Sequence, residues 1–132
     1  MTRSDVVELD DCWRLPLVGL TVTQVRVDHQ LGLQLGEDAE INVQTGAAMD
    51  QGGGGQTSPL VPERQEVADA LGLFGRAVTE ATAFKDGRLL VEFDQGARLT
   101  VAPDADFEAW NITGPGALRV VCMPGGELAI WR

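Results

Sequence analysis

The chain has no tyrosine, a single histidine, two cysteines and half as many basic as acidic residues, and each shortage removes a class of function. Without tyrosine there is no phenolic acid, and the commonest amphipathic anchor of binding sites is missing. His29 stands in a turn beside Asp28. Nothing nominates a serine or cysteine nucleophile to meet it, as a triad or dyad requires. Cys12 and Cys122 have no CxxC or HxxxH partners, so no zinc site is spelled out. In a reducing cytosol such a pair reads as small buried hydrophobes. No apolar run approaches the ~20 residues that a membrane-spanning helix needs. The opening residues, MTRSDVVELDD, lack the apolar core of a signal peptide, and a cytoplasmic location is expected. Ten Lys+Arg against 20 Asp+Glu leave a formal charge of −10. Such a field repels nucleic acid and anionic membrane and draws basic proteins. The sequence implies no cofactor, no metal and no catalytic residue.

What is present is a repeat. Residues 19–43 read GLTVTQVRVDHQLGLQLGEDAEINV, and residues 75–101 read GRAVTEATAFKDGRLLVEFDQGARLTV. Aligning the glycines sets Val22 with Val78, Thr23 with Thr79, Leu33 with Leu89 and Leu35 with Val91. After a two-residue insertion, Ala39 meets Ala97, Ile41 meets Leu99 and Val43 meets Val101. Each copy is three alternating runs joined by turns, the pattern of a three-stranded antiparallel meander. Two meanders related by a pseudo-twofold axis are expected, with Val22/Val78, Leu33/Leu89, Ile41/Leu99 and Val43/Val101 in equivalent buried places. The step of three from Val22 to Val25 breaks the alternation and predicts a bulge. Asp86-Gly87 is the pair that tight hairpins prefer.

Between the copies the composition changes. Residues 45–59 hold Gly46, the run Gly52 to Gly55 and almost no bulky side chain, which predicts a flexible loop. It fails as a phosphate-binding loop, because Gln56 takes the lysine position and Pro59 and Pro62 delay the helix. A short helix is expected over 62–71. Pro62 suits its first position, Glu63 and Glu66 its positive end, and Gly72 its stop. Val67, Ala70, Leu71 and Phe74 would form its apolar stripe. The tail reads as three more strands, 107–112, 118–123 and 127–131, separated by Gly114-Pro115-Gly116 and Pro124-Gly125-Gly126. The fold class is mainly β. One domain over 1–132 holds two repeated meanders, a C-terminal three-strand segment and one short helix, as a sandwich or a partly open barrel.

The tail carries a resemblance. Phe107-Glu108-Ala109-Trp110, then Gly114-Pro115, then Val121-Cys122-Met123-Pro124-Gly125-Gly126-Glu127-Leu128-Ala129-Ile130-Trp131 resembles the closing signature of a family of small bacterial β-rich domains of unknown function. These show an aromatic-Glu-Ala-Trp step and a Pro-Gly-Gly turn before a strand with a terminal tryptophan. The upstream meanders match that layout too, and Phe107 stands where tyrosine is commoner. Size, acidity and the aromatic-Ala-Trp step are also similar to immunity proteins of bacterial toxin systems.

The candidate site lies in the same stretch. Asp104, Asp106 and Glu108 recur at period two, so an extended backbone would carry all three carboxylates, and Trp110, on one face. Ala105, Phe107 and Ala109 would then face the core. Calcium or magnesium would call for turn carbonyls and a glycine-bearing loop besides. A tryptophan among carboxylates instead suits contact with a basic protein, whereas a bend after Ala109 would turn Trp110 inward as packing. Trp131 is expected in the core. The reading is a non-enzymatic acidic protein-binding module, immunity- or antitoxin-like, that neutralises a basic partner. Two other readings stand beside it: a small-ligand or enzymatic β-barrel with an internal pocket, and a structural subunit that forms a homodimer through an exposed sheet edge.

Overall fold

The computed structural model describes residues 5–52 and 56–132, which form two antiparallel sheets around one core. In chain order the strands are β1 (Val7–Glu8), β2 (Cys12–Arg14), β3 (Val22–Val27), β4 (Leu31–Leu35), β5 (Ala39–Val43), β6 (Ala47–Asp50) and β7 (Thr57–Leu60). There follow β8 (Val78–Phe84), β9 (Leu89–Phe93), β10 (Arg98–Val101), β11 (Trp110–Thr113), β12 (Arg119–Cys122) and β13 (Leu128–Trp131). The first sheet runs β1-β2-β8-β9-β10-β6-β7 and the second β13-β12-β11-β5-β4-β3. Both keep open edges, so the fold is a sandwich and not a closed barrel. Alternation sets the faces: in β5 and β9 every second residue is buried. Leu33, Ile41, Val43, Ile112 and Val120 from one sheet share a core with Leu89, Val91, Leu99, Val101 and Met49 from the other.

The meanders β3-β4-β5 and β8-β9-β10 lie one in each sheet and touch at their starts. Val22 N–H donates to Arg76 O at 2.9 Å, and Val78 N–H donates to Leu20 O at 2.8 Å. Gly19 N–H to Val78 O and Gly75 N–H to Val22 O are each 2.8 Å. A local twofold axis between Thr21 and Ala77, which form an antiparallel bridge, exchanges each bond with its mate. Both first strands bulge at the same place, between Val22 and Gln24 and between Val78 and Glu80. One equivalence differs from the expected alignment. Leu33 pairs with Ile41, but Leu89 pairs with Val101, and it is Val91 that pairs with Leu99. The counterpart of Leu33 is therefore Val91, and the two extra residues lie in the β8–β9 hairpin. A shift of two leaves every inward side chain inward, so hydrophobic alternation is blind to it.

Other segments depart from expectation. Most of 45–59 is not a loop: β6 pairs with β10 and β7 with β6, burying Met49 and Leu60 at the margin of the first sheet. Small residues suffice there because the pairing is supplied by β10. Residues 53–55, part of the glycine run, lie outside the described residues. Region 62–71 is not one helix but two short 3₁₀ segments, Pro62–Arg64 and Ala68–Leu73, interrupted at Gln65, whose φ is 57°. Val67, Ala70 and Leu73 are buried at a spacing of three, matching the 3₁₀ period, while Leu71 and Phe74 are 56% and 64% exposed. Trp131, expected inside, is 54% exposed on the edge strand β13.

Candidate functional site

The chain from Ala102 to Ala109 is not a strand, and that decides where the expected site residues go. Asp104 Oδ1 accepts the N–H groups of Asp106 (2.8 Å) and Phe107 (3.0 Å), folding the segment into an Asx-type turn. Gly125 N–H donates to Asp104 O at 2.8 Å and ties this turn to the β12–β13 connection. The turn destroys the period of two. Phe107 is thrown outward, 67% exposed, where alternation had sent it to the core.

Trp110 goes the other way. It pairs with Val43 at the start of β11, is 0% exposed, and donates from Nε1 to Gly87 O at 2.9 Å. Cys122 Sγ reaches the same carbonyl at 3.3 Å. Burial pushes the Cys122 thiol above its ordinary value, which keeps its proton available for that contact. Trp110 is therefore packing, and it does not join a contact patch. These tail residues serve the architecture: Trp110 and Cys122 satisfy a turn carbonyl of the opposite sheet, and Gly126 abuts Gly87.

Three of the turn's residues do meet at a surface. A groove of about 350 Å³ lies between residues 44–46, residues 61–63 and the 104–108 turn. Its walls include Val61, Pro62 and Phe107, with the carboxylates of Glu63, Asp104 and Glu108. Glu108 Oε1 accepts from Gln44 Nε2 (3.4 Å) and Asn111 Nδ2 (3.2 Å), which hold the carboxylate at the wall. Among the described residues no lysine or arginine lines the groove. Of the four expected residues, the structure keeps Asp104 and Glu108 here, leaves Asp106 exposed on the turn outside it, and removes Trp110 to the core. Phe107, Glu63 and Pro62 were missed. The Asp-x-Asp-Phe order was the available signal, since an aspartate two and three residues ahead of free backbone N–H groups favours a local turn over a strand.

Elsewhere, Glu8, Asp10 and Asp11 surround Lys85, whose Nζ lies 2.7 Å from Glu8 Oε2 and 5.6 Å from the Trp13 ring centre. Among the described residues no group of three or more His, Cys, Asp or Glu is arranged to hold a metal ion. His29 is exposed in the β3–β4 turn. No helix among the described residues is long and apolar enough to cross a membrane.

No curated protein and no solved structure matches the chain. One family model matches residues 13–132, a span that takes in both meanders, the groove turn and the closing tail. The chain thus belongs to that family, a family of unknown function designated DUF6188.

Proposed function

We propose that this chain is a non-enzymatic binding module, immunity- or antitoxin-like, that receives a basic segment of a partner protein in the groove around Phe107. The observation that carries the reading is an aromatic ring 67% exposed beside carboxylates, in a groove that no cation among the described residues lines. An exposed phenylalanine loses more apolar surface on docking than any other residue of this wall, and arginine or lysine side chains stack on such rings. Glu63, Asp104 and Glu108, within a chain of net charge −10, would speed the approach of a cationic partner and make it salt-sensitive. A cytoplasmic setting suits the two buried free thiols.

Phe107→Ala is expected to weaken partner binding by about 2 kcal/mol or more, the range of a hot spot. Because the ring is exposed, folding stability should change by only about 0.5 kcal/mol. Glu63→Lys is expected to slow association and flatten its salt dependence while leaving dissociation nearly unchanged. The experiment is a pull-down from the native organism at low and high salt, with wild-type and Phe107→Ala baits and melting temperatures measured in parallel. A basic protein retained by wild type and lost with Phe107→Ala supports the reading. Equal retention by both baits overturns it.

A further inference from the structure

Among the described residues the two sheets end in four edge strands, and three of them are blunted. β1 is two residues long, β7 carries Pro59, and β3 is bulged between Val22 and Gln24, with Arg26 held by Glu40 at 2.6 Å. β13, reading LAIW, has no charge, no proline and no bulge. Its Leu128 and Ile130 side chains pack on the core yet remain only half-buried, and Trp131 stands exposed on the opposite face.

The pairing of β13 with β12 fixes which backbone groups look outward. Met123 N–H donates to Glu127 O at 2.7 Å, so 123/127 is a hydrogen-bonded pair. Antiparallel alternation then makes Val121/Ala129 and Arg119/Trp131 hydrogen-bonded pairs as well, in the observed register. The N–H and C=O of Leu128 and Ile130 therefore point away from β12, to the side where no strand among the described residues pairs with them.

We propose that two copies of this chain join antiparallel along β13, centred on Ala129, to form one continuous sheet. A symmetric pair of identical antiparallel strands must be centred on a residue that meets itself. With Ala129 at the centre, that meeting is a non-hydrogen-bonded pair, the closer kind, at about 4.5 Å between Cα atoms, and a methyl group suits it. Leu128 then faces Ile130 of the partner subunit, with both outward pairs of N–H and C=O groups satisfied and apolar side chain meeting apolar side chain. On the outer face Glu127 lies against Trp131 of the partner subunit. Within one copy the Arg119 guanidinium sits 6.0 Å from the Trp131 ring centre. Neither Arg119 nor Glu127 makes an ion pair among the described residues. The dimer thus brings each unpaired glutamate toward an unpaired arginine across a shared tryptophan, twice by symmetry. Centring on Ile130 instead would set Leu128 against Arg132 and forfeit this match.

The contact is short, well below the ~1,200 Å² of a standard interface, which puts the dimer in the weak, transient class. Sedimentation equilibrium on the full chain, from about 5 µM to 1 mM, covers the concentrations at which such a dimer forms. Ile130→Pro leaves the β12 pairing intact, because the lost N–H is an outward one, and should weaken the dimer at least about tenfold. Glu127→Lys should weaken it about three- to tenfold, and adding Arg119→Glu should restore it to within about twofold of wild type. Melting temperatures confirm that each variant is folded. A monomer throughout the range, a dimer that Ile130→Pro leaves unchanged, or a double variant no better than Glu127→Lys alone would each overturn the proposal. These readouts need no partner protein, so they stand or fall apart from the groove.

Discussion

Replacing Trp110 by alanine is expected to cost about 3–5 kcal/mol of folding stability, as a large-to-small change at a fully buried site does. In a chain of this size that lowers the melting temperature by about 10–20 °C. Two effects combine. The indole fills the junction between the start of β11 and the β8–β9 turn, with no exposed surface. Its Nε1 also supplies a hydrogen bond to Gly87 O at 2.9 Å, leaving Cys122 Sγ at 3.3 Å as the other donor to that carbonyl. Trp110→Phe separates the terms: it keeps most of the ring packing and removes the donor, at about 1–3 kcal/mol. Urea unfolding of both variants, with unchanged m-values, checks the assignment. Partner binding per folded molecule should match wild type, because Trp110 reaches no surface. A Trp110→Ala protein with wild-type stability but lost binding would show the ring to be a contact residue after all.

The scaffold was legible in the sequence where periodicity speaks. Both meanders, the bulge after Val22 and the hairpin at Asp86-Gly87 follow from alternation and turn residues, and each is present. What alternation leaves open is the register. Leu33 and Leu89 are both buried, so matching one to the other satisfied every hydrophobic test while misplacing the insertion by a hairpin. Strands whose partner lies far along the chain were also illegible. β6 is Ala-Ala-Met-Asp, a poor strand by propensity, and forms because β10 offers an edge. β2 likewise finds its partner, β8, far along the chain.

The site was read less well, and for one physical reason. Period-two logic was extended past the end of β10 into a segment where a side chain competes for the backbone. Asp104 takes two backbone N–H groups, the chain turns, Phe107 goes outward instead of inward, and of the two places open to Trp110 the core is the one it takes. Asp104 and Glu108 stayed together because the turn returns the chain to the same groove. The partners from 44–46 and 61–63 come from another part of the chain, and no local pattern announces them.

Gly87→Ala is expected to rival Trp110→Ala, through contact rather than cavity. Gly87 has φ +103°, where side chains are strained by about 1–3 kcal/mol. A Cβ there would stand 2.6 Å from Gly126 Cα and 2.8 Å from both Gly126 O and Pro103 Cβ. Most of those neighbours are backbone, so relief requires the β8–β9 turn and the β12–β13 turn to separate. That motion would pull Gly87 O from Trp110 and Cys122 as well. Overpacking of this kind adds about 1–3 kcal/mol to the conformational cost. Gly126→Ala should behave alike, since its Cβ would lie 2.5 Å from Asp86 O. The neighbouring Gly125 supplies the control: its φ is +86°, yet a Cβ there meets nothing within 4 Å. Gly125→Ala should therefore carry the conformational cost alone, about 1–2 kcal/mol. Denaturant midpoints for the three alanine variants decide the matter. If Gly126→Ala and Gly87→Ala fall no further than Gly125→Ala, the two turns are not locked together, and Gly126 has no packing role.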